Sequence, residues 1–156
     1  MKPIAIGSDD AGAGLRHAIV EHLREQGYEV KDFGVDDASK AYPTVAFDVA
    51  EDVAAGAHDR AILCCGTGIG MAIAANKVRG VYAANCHDVY SAQRARKSNN
   101  AQVLTLGGRV VGTQLALTIV DAWMESEFEG GRSEGKLAEI VRHEQRLNAV
   151  ALDASR

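Results

Sequence analysis

The chain has 156 residues, 47% apolar, 24% charged and 5% aromatic, with a formal net charge of −4 and a pI near 5.7. That length and balance suit one soluble domain over residues 1–156 with a single sizeable core, and exclude a disordered or low-complexity chain. An acidic chain with no basic run is a poor nucleic-acid binder, so an anionic ligand has to be held by a few local cations and backbone N–H groups.

Short apolar runs alternate with amphipathic stretches. Ile4-Ala5-Ile6 reads as a first strand, and Leu15, Ile19 and Leu23 recur every four residues as on a helix that Gly27 closes. Glu29 to Phe33 is a more polar second strand, placed at an edge. Tyr42-Pro43 opens a helix carrying Val45, Val49 and Val53, proline being tolerated in a first turn. Arg60 to Cys65 is an apolar strand covered on both faces, followed by a glycine-rich turn, Gly66 to Gly70, and a helix from Met71 to Asn76. Val81 to Ala84 is a fourth strand, Asp88 caps a helix through Arg96, and Gln102 to Leu106 is a fifth strand broken by Gly107-Gly108. Leu115, Ile119 and Trp123 mark another helix. Gly130-Gly131 precedes a last one with Leu137, Ile140, Val141 and Leu147.

This alternation predicts an α/β, Rossmann-like three-layer fold, a parallel sheet with helices on both faces. Ligands in such folds sit beyond the carboxyl ends of the strands, where strand order reverses. Three polar or glycine-rich loops leave those ends: Gly7 to Gly14, Cys65 to Gly70, and Gly107 to Arg109. No run approaches the roughly 18 apolar residues of a membrane span, and the start lacks the apolar core of a signal peptide. Cys64, Cys65 and Cys86 are three in number, two of them adjacent. That pattern suits free thiols in a reducing cytoplasm and gives no zinc-site spacing.

Cys65-Gly66-Thr67-Gly68-Ile69-Gly70 carries the chemistry. Successive glycines let backbone N–H groups turn inward toward a negative oxygen, and the following helix N-terminus favours a thiolate. Strand alternation sends Cys64 and Cys65 to opposite faces, so only one meets the site. Cys65 reads either as a packed strand-end residue or as a reactive thiol. The turn lacks the ending of a P-loop, and Gly12-Ala13-Gly14 is followed by Leu15-Arg16-His17 instead of the spacing of a dinucleotide fingerprint. Asp9 and Asp10 either orient sugar hydroxyls or cap the first helix. Arg132 and Lys136, four apart, either clamp one phosphate or are surface cations. Arg94 to Asn100 is a site edge or a solvated helix end. A small-ligand binding module on the same architecture is the non-enzymatic rival.

Cys65 to Gly70 with Ile73-Ala74-Ala75-Asn76-Lys77 resembles the ribose-5-phosphate isomerase B and galactose-6-phosphate isomerase family (RpiB/LacAB). Tyr90 to Gln93, Gly108 to Gly112, Ile119 to Trp123 and Glu129 to Arg132 fit the same family in the same order. The resemblance implies a five-stranded parallel sheet and a homodimer, with a tetramer left open, whose active sites lie between subunits. It implies aldose–ketose isomerisation of a phosphorylated sugar through a cis-enediolate, without metal or cofactor. Cys65 matches the base. Gly66, Thr67, Gly68, Ile69 and Gly70 match the cradle for the enediolate oxygens. Asp9, Asp10, Ser98 and Asn99 fall at sugar-binding positions, and Arg109, Arg132 and Lys136 at phosphate-binding ones.

The departures point to the substrate. Asp10 stands where the family usually has a histidine near the phosphate. Ser98 stands where a histidine is assigned to opening the sugar ring, a task serine cannot perform unaided near neutral pH. Lys136 replaces a usual arginine and loses its bidentate fork. Ribose 5-phosphate closes as a furanose through its C4 hydroxyl. A tetrose 4-phosphate carries its phosphate on that oxygen and cannot close that ring. Loss of the histidine with retention of Cys65 therefore favours D-erythrulose 4-phosphate and D-erythrose 4-phosphate, with D-ribose 5-phosphate and D-ribulose 5-phosphate as the alternative. His87 either supplies the missing acid–base group or merely packs. An exposed apolar face on the helices of Val45 or Leu115 is expected at a subunit interface.

Overall fold

The computed structural model describes residues 1–34 and 40–154, the last four by backbone alone. Five parallel strands, β1 (Ile4–Ser8), β2 (Val30–Asp32), β3 (Ala61–Cys65), β4 (Ala83–Asn85) and β5 (Val103–Gly107), form one sheet in the order β2-β1-β3-β5-β4. The three central strands are buried along their whole length, while β2 and β4 are short, partly exposed edges. Register pairs Ser8 with Cys64 and Cys65 with Gly107, so the carboxyl ends of β1, β3 and β5 finish level. The chain runs outward from β1 to β2 and then crosses to β3. That reversal opens the crevice in which such sheets hold ligands.

Side-chain alternation divides the core into two layers. Ile4, Ile6, Ile62, Cys64, Leu104 and Leu106 face one side, where α1 (Ala13–Glu25), α4 (Val89–Lys97) and α5 (Thr113–Met124) pack with the fully buried Trp123. Ala5, Ala61, Leu63, Cys65 and Val103 face the other, against α2 (Tyr42–Ala54) and the seven-residue α3 (Ile69–Ala75). The two adjacent cysteines thus lie in different layers, as the strand alternation requires.

Two expectations are corrected. The fourth strand runs Ala83–Asn85, not Val81–Ala84, because Val81 closes a turn onto Val78 O and is buried there. The Asn76 amide meanwhile bonds both the N–H and the C=O of Ala83. Helix α3 starts at Ile69, two residues before Met71. Both helices named for an exposed apolar face carry one: Val45 itself is buried, but Tyr42 and Phe47 of α2 and Leu115 of α5 are exposed. α6 (Glu134–Ala154) belongs to neither core layer, and its Ile140, Leu147 and Val150 are solvent-facing.

Arg60 anchors the end of α5. Fully buried at the start of β3, it donates to the carbonyls of Trp123, Met124 and Ser126 at 2.8–3.1 Å and to Glu127 Oε1 at 2.6 Å. Those carbonyls are the acceptors a helix end leaves unpaired, and the guanidinium also lies over the Trp123 ring.

Candidate active site

Beyond the carboxyl ends of β1, β3 and β5 lies a cavity of about 480 Å³ lined by Asp9, Ala11, Tyr42, Cys65, Gly66, Thr67, Ile69, Gly70, Ile73 and Arg109. The three loops marked in the sequence converge here. Backbone bonds join two of them: Gly108 N–H donates to Cys65 O at 2.8 Å and Arg109 N–H to Gly66 O at 3.0 Å. Arg109 is thereby laid beside Gly66, its Cδ and Nε 3.6–3.8 Å from where a Cβ on that glycine would stand.

Close backbone approach dictates the glycines. A Cβ on Gly12 would lie 2.5 Å from the Cys64 carbonyl, and one on Gly107 2.8 Å from the Thr67 backbone. Gly68 combines a φ of +77° with contact against Asn85 and Leu106, so no L side chain fits there without strain.

Cys65 is 5% exposed, with its Sγ accepting from Gly68 N–H at 3.1 Å. Such a donor binds a charged sulfur more strongly than a neutral one. Thr67 Oγ1 accepts from Ile69 N–H at 3.3 Å. Two N–H groups of the turn are thus aimed at the Cys65 and Thr67 side chains instead of standing free for a ligand oxygen. Burial, with the neighbouring Cys65 sulfur adding to it, pushes the Cys64 thiol up to about 12. Burial, then Asp88, pushes Cys86 to about 11. All three thiols are free, and only Cys65 opens on the cavity.

Asp9 Oδ1 accepts from Gly12 N–H at 3.0 Å, capping the 3₁₀ turn Asp10–Gly12 that leads into α1, and Asp9 also lines the cavity. Asp10 is exposed in that turn and does not line the cavity. His87 does not line it either. Its Nε2 accepts from Gly107 N–H at 3.1 Å, which ties β5 to the segment after β4.

Ser98, Asn99, Arg132 and Lys136 do not line the Cys65 cavity. Ser98 and Asn99 end α4, and Asn100 turns the chain with a φ of +48°, a conformation asparagine tolerates. Arg132 lies in the 3₁₀ turn Gly131–Ser133 and Lys136 in the first turn of α6. Glu129 binds these segments together: its N–H donates to Lys97 O at 3.0 Å, and its carboxylate meets Arg94 at 3.2 Å and Lys97 at 3.5 Å. The Arg94 hydrogen bond holds the Glu129 carboxyl below its ordinary value. Asn99 lines a second cavity, of about 400 Å³, with Arg94, Leu137 and Ile140. Of the sequence candidates, Asp9, Cys65, Gly66, Thr67, Ile69, Gly70 and Arg109 meet at one cavity, while Ser98, Asn99, Arg132 and Lys136 lie away from it on the same chain.

Tyr42, Ala11 and Ile73 were not singled out from sequence. The Tyr42 ring lies against Gly70, 2.6 Å from where a Cβ would stand. Its signal was positional, since the residue opening a helix after a parallel strand sits at the carboxyl edge of the sheet. Ile73 is one turn beyond Ile69, and both are more than half exposed at the cavity. Among the described residues no group of three or more His, Cys, Asp or Glu side chains could hold a metal ion.

A thiol and a glycine turn at the switch point of a doubly wound sheet define a small-molecule enzyme of the α/β class. The ribose/galactose isomerase (LacAB/RpiB) family model matches residues 4–140. D-erythrulose-4-phosphate isomerase of Pectobacterium atrosepticum is 51% identical over 146 residues, covering 92% of this chain and 96% of that protein. Ribose-5-phosphate isomerase B of Escherichia coli K12 is 48% identical over 149 residues, covering 95% of this chain and 100% of that protein. The solved ribose-5-phosphate isomerase B of Clostridium thermocellum superposes with a TM-score of 0.90 at 47% identity, covering 94% of this chain and 99% of that one. The chain belongs to the ribose/galactose isomerase family and is an aldose–ketose isomerase, which sets aside the non-catalytic binding module.

Proposed function

We propose that this enzyme interconverts D-erythrulose 4-phosphate and D-erythrose 4-phosphate, with Cys65 moving the proton. The Cys65 thiolate takes a proton from C1 of the ketose, leaving a cis-enediolate with its charge on O2. The thiol returns a proton to C2 while the O1 proton passes to O2, giving the aldehyde. The Gly66–Gly70 turn and the Thr67 hydroxyl hold the two oxygens. Asp9 and Asn99 hold sugar hydroxyls, and Arg109, Arg132 and Lys136 hold the phosphate. The step needs no metal, and EDTA-treated protein keeps its turnover on this reading.

The observation that carries the choice of a four-carbon sugar is that, among the described residues, no histidine lines the Cys65 cavity. Ser98 occupies the position of the family's histidine, and His87 has its Nε2 committed to Gly107. The two relatives named above differ by three points of identity and carry different substrates in their names, so identity does not decide. A substrate that cannot form the furanose is the one such a site serves.

The split of the candidate residues supports a shared site. The Cys65 cavity of one protomer is completed by Ser98, Asn99, Arg132 and Lys136 of a second copy, in a homodimer that also covers the exposed Ile69 and Ile73. The reaction is tested by incubating D-erythrulose 4-phosphate with the enzyme in D₂O. Deuterium at C2 of the aldose, lost in Cys65→Ala, is the expected result. Isomerisation that persists in Cys65→Ala contradicts the assignment of the base.

A further inference from the structure

The Cys65 sulfur receives its N–H from the Thr67–Gly68 peptide, and the other end of that same peptide is held from outside the turn. Asn85, the last residue of β4, donates its Nδ2 to Thr67 O in a long contact of 3.4 Å. Its Oδ1 lies flush on Gly68, 2.6 Å from where a Cβ would stand. A trans peptide points its C=O and N–H in opposite directions. Fixing the Thr67 carbonyl toward Asn85 therefore fixes the Gly68 N–H toward Sγ, 3.1 Å away. Gly107 backs the same peptide, with no room for a Cβ against Thr67.

We propose that Asn85 is a positioning residue that locks the Thr67–Gly68 peptide so that its N–H stays aimed at the Cys65 sulfur. The inference rests on the reading of Cys65 as the proton-moving base, but it concerns the state of the thiol and is measured without turnover. Nothing else in the proposed reaction uses Asn85, and its amide does not line the Cys65 cavity. An N–H donor binds the charged sulfur more strongly than the neutral thiol. Releasing the peptide from Asn85 lets it rotate away and weakens that effect.

The test is the pH dependence of iodoacetamide alkylation at Cys65, followed by mass spectrometry on the intact enzyme, with Cys65→Ala giving the background from the two buried thiols. Asn85→Leu keeps the shape of the side chain without its donor, and Asn85→Ala removes both. The expected result is a midpoint about 0.5 pH unit higher in both variants, read below the midpoint as a roughly threefold slower alkylation. Thermal unfolding of each variant, with the transition in place, establishes that the fold is intact. An unchanged midpoint in both variants overturns the inference. So does a shift in Asn85→Ala that Asn85→Leu restores, because packing and not the amide would then be responsible. Wild-type turnover in Cys65→Ala would remove the base while leaving a measured midpoint shift standing, so the two readings fail separately.

Discussion

Cys64 and Cys65 show how one residue of strand register separates a thiol sealed in the core from one that lines a cavity. Cys64 faces the α1–α5 layer with its thiol pushed up to about 12, while Cys65 faces the cavity and an N–H donor. Cys65→Ser is expected to lower kcat by about 10²–10⁴, the range of a positioned general base, and Cys64→Ala to leave kcat within about twofold, both read by steady-state kinetics. Because burial raises the folded-state values of Cys64 and Cys86 above the ordinary 9.0, unfolding lets those thiols ionise first. Their contribution to stability is complete below pH 9 and is lost as pH rises from there toward 11–12, so the denaturant midpoint should fall across that window. Cys86→Ala should flatten the fall. Ser98→His is expected to raise turnover of D-ribose 5-phosphate relative to the tetrulose phosphate, and no gain would contradict the ring-opening argument. The Cys65 turn was legible in sequence because its glycines, its thiol and its place after an apolar strand agree. Tyr42 was not, since nothing in Tyr42-Pro43 beyond a helix start says which cavity the ring walls.

At the scale of elements, strand–helix alternation and the capping and terminating residues made the order of the fold readable, down to Asp88 accepting from Ser91 N–H at 2.7 Å at the start of α4. The start of the fourth strand was misplaced because its expected first residues bond elsewhere: Val81 N–H closes a turn onto Val78 O and Gln102 takes the Tyr82 N–H. No local propensity announces such pairs. Gly68→Ala puts a Cβ 2.6 Å from Asn85 Oδ1 at a φ of +77°, which should cost about 1–3 kcal/mol and also reduce kcat, because the turn itself must move. Arg60→Met strips the end of α5 of its donors while retaining much of the stacking on Trp123. The expected loss is about 2–4 kcal/mol by denaturant titration, with KM for substrate little changed, because Arg60 lies at the opposite end of the sheet from Cys65.

For the whole molecule, the sequence named candidate residues but not that Ser98, Asn99, Arg132 and Lys136 lie outside the Cys65 cavity of their own chain, a placement set by tertiary packing that no local pattern announces. The proposed two-fold dimer with shared sites makes a quantitative prediction. Cys65→Ala and Asn99→Ala should each be nearly inactive alone. Equal amounts, unfolded and refolded together, should recover about a quarter of wild-type activity, because half of the dimers are mixed and each contains one intact site. No recovery would contradict a shared site. The proposed substrate is tested most directly by kcat/KM of the purified, EDTA-treated wild-type enzyme for D-erythrulose 4-phosphate and for D-ribose 5-phosphate. Ser98 and the committed His87 predict a preference for the tetrulose phosphate of about 10²-fold or more, the scale of a missing general acid–base group. Equal or greater efficiency on ribose 5-phosphate would contradict it.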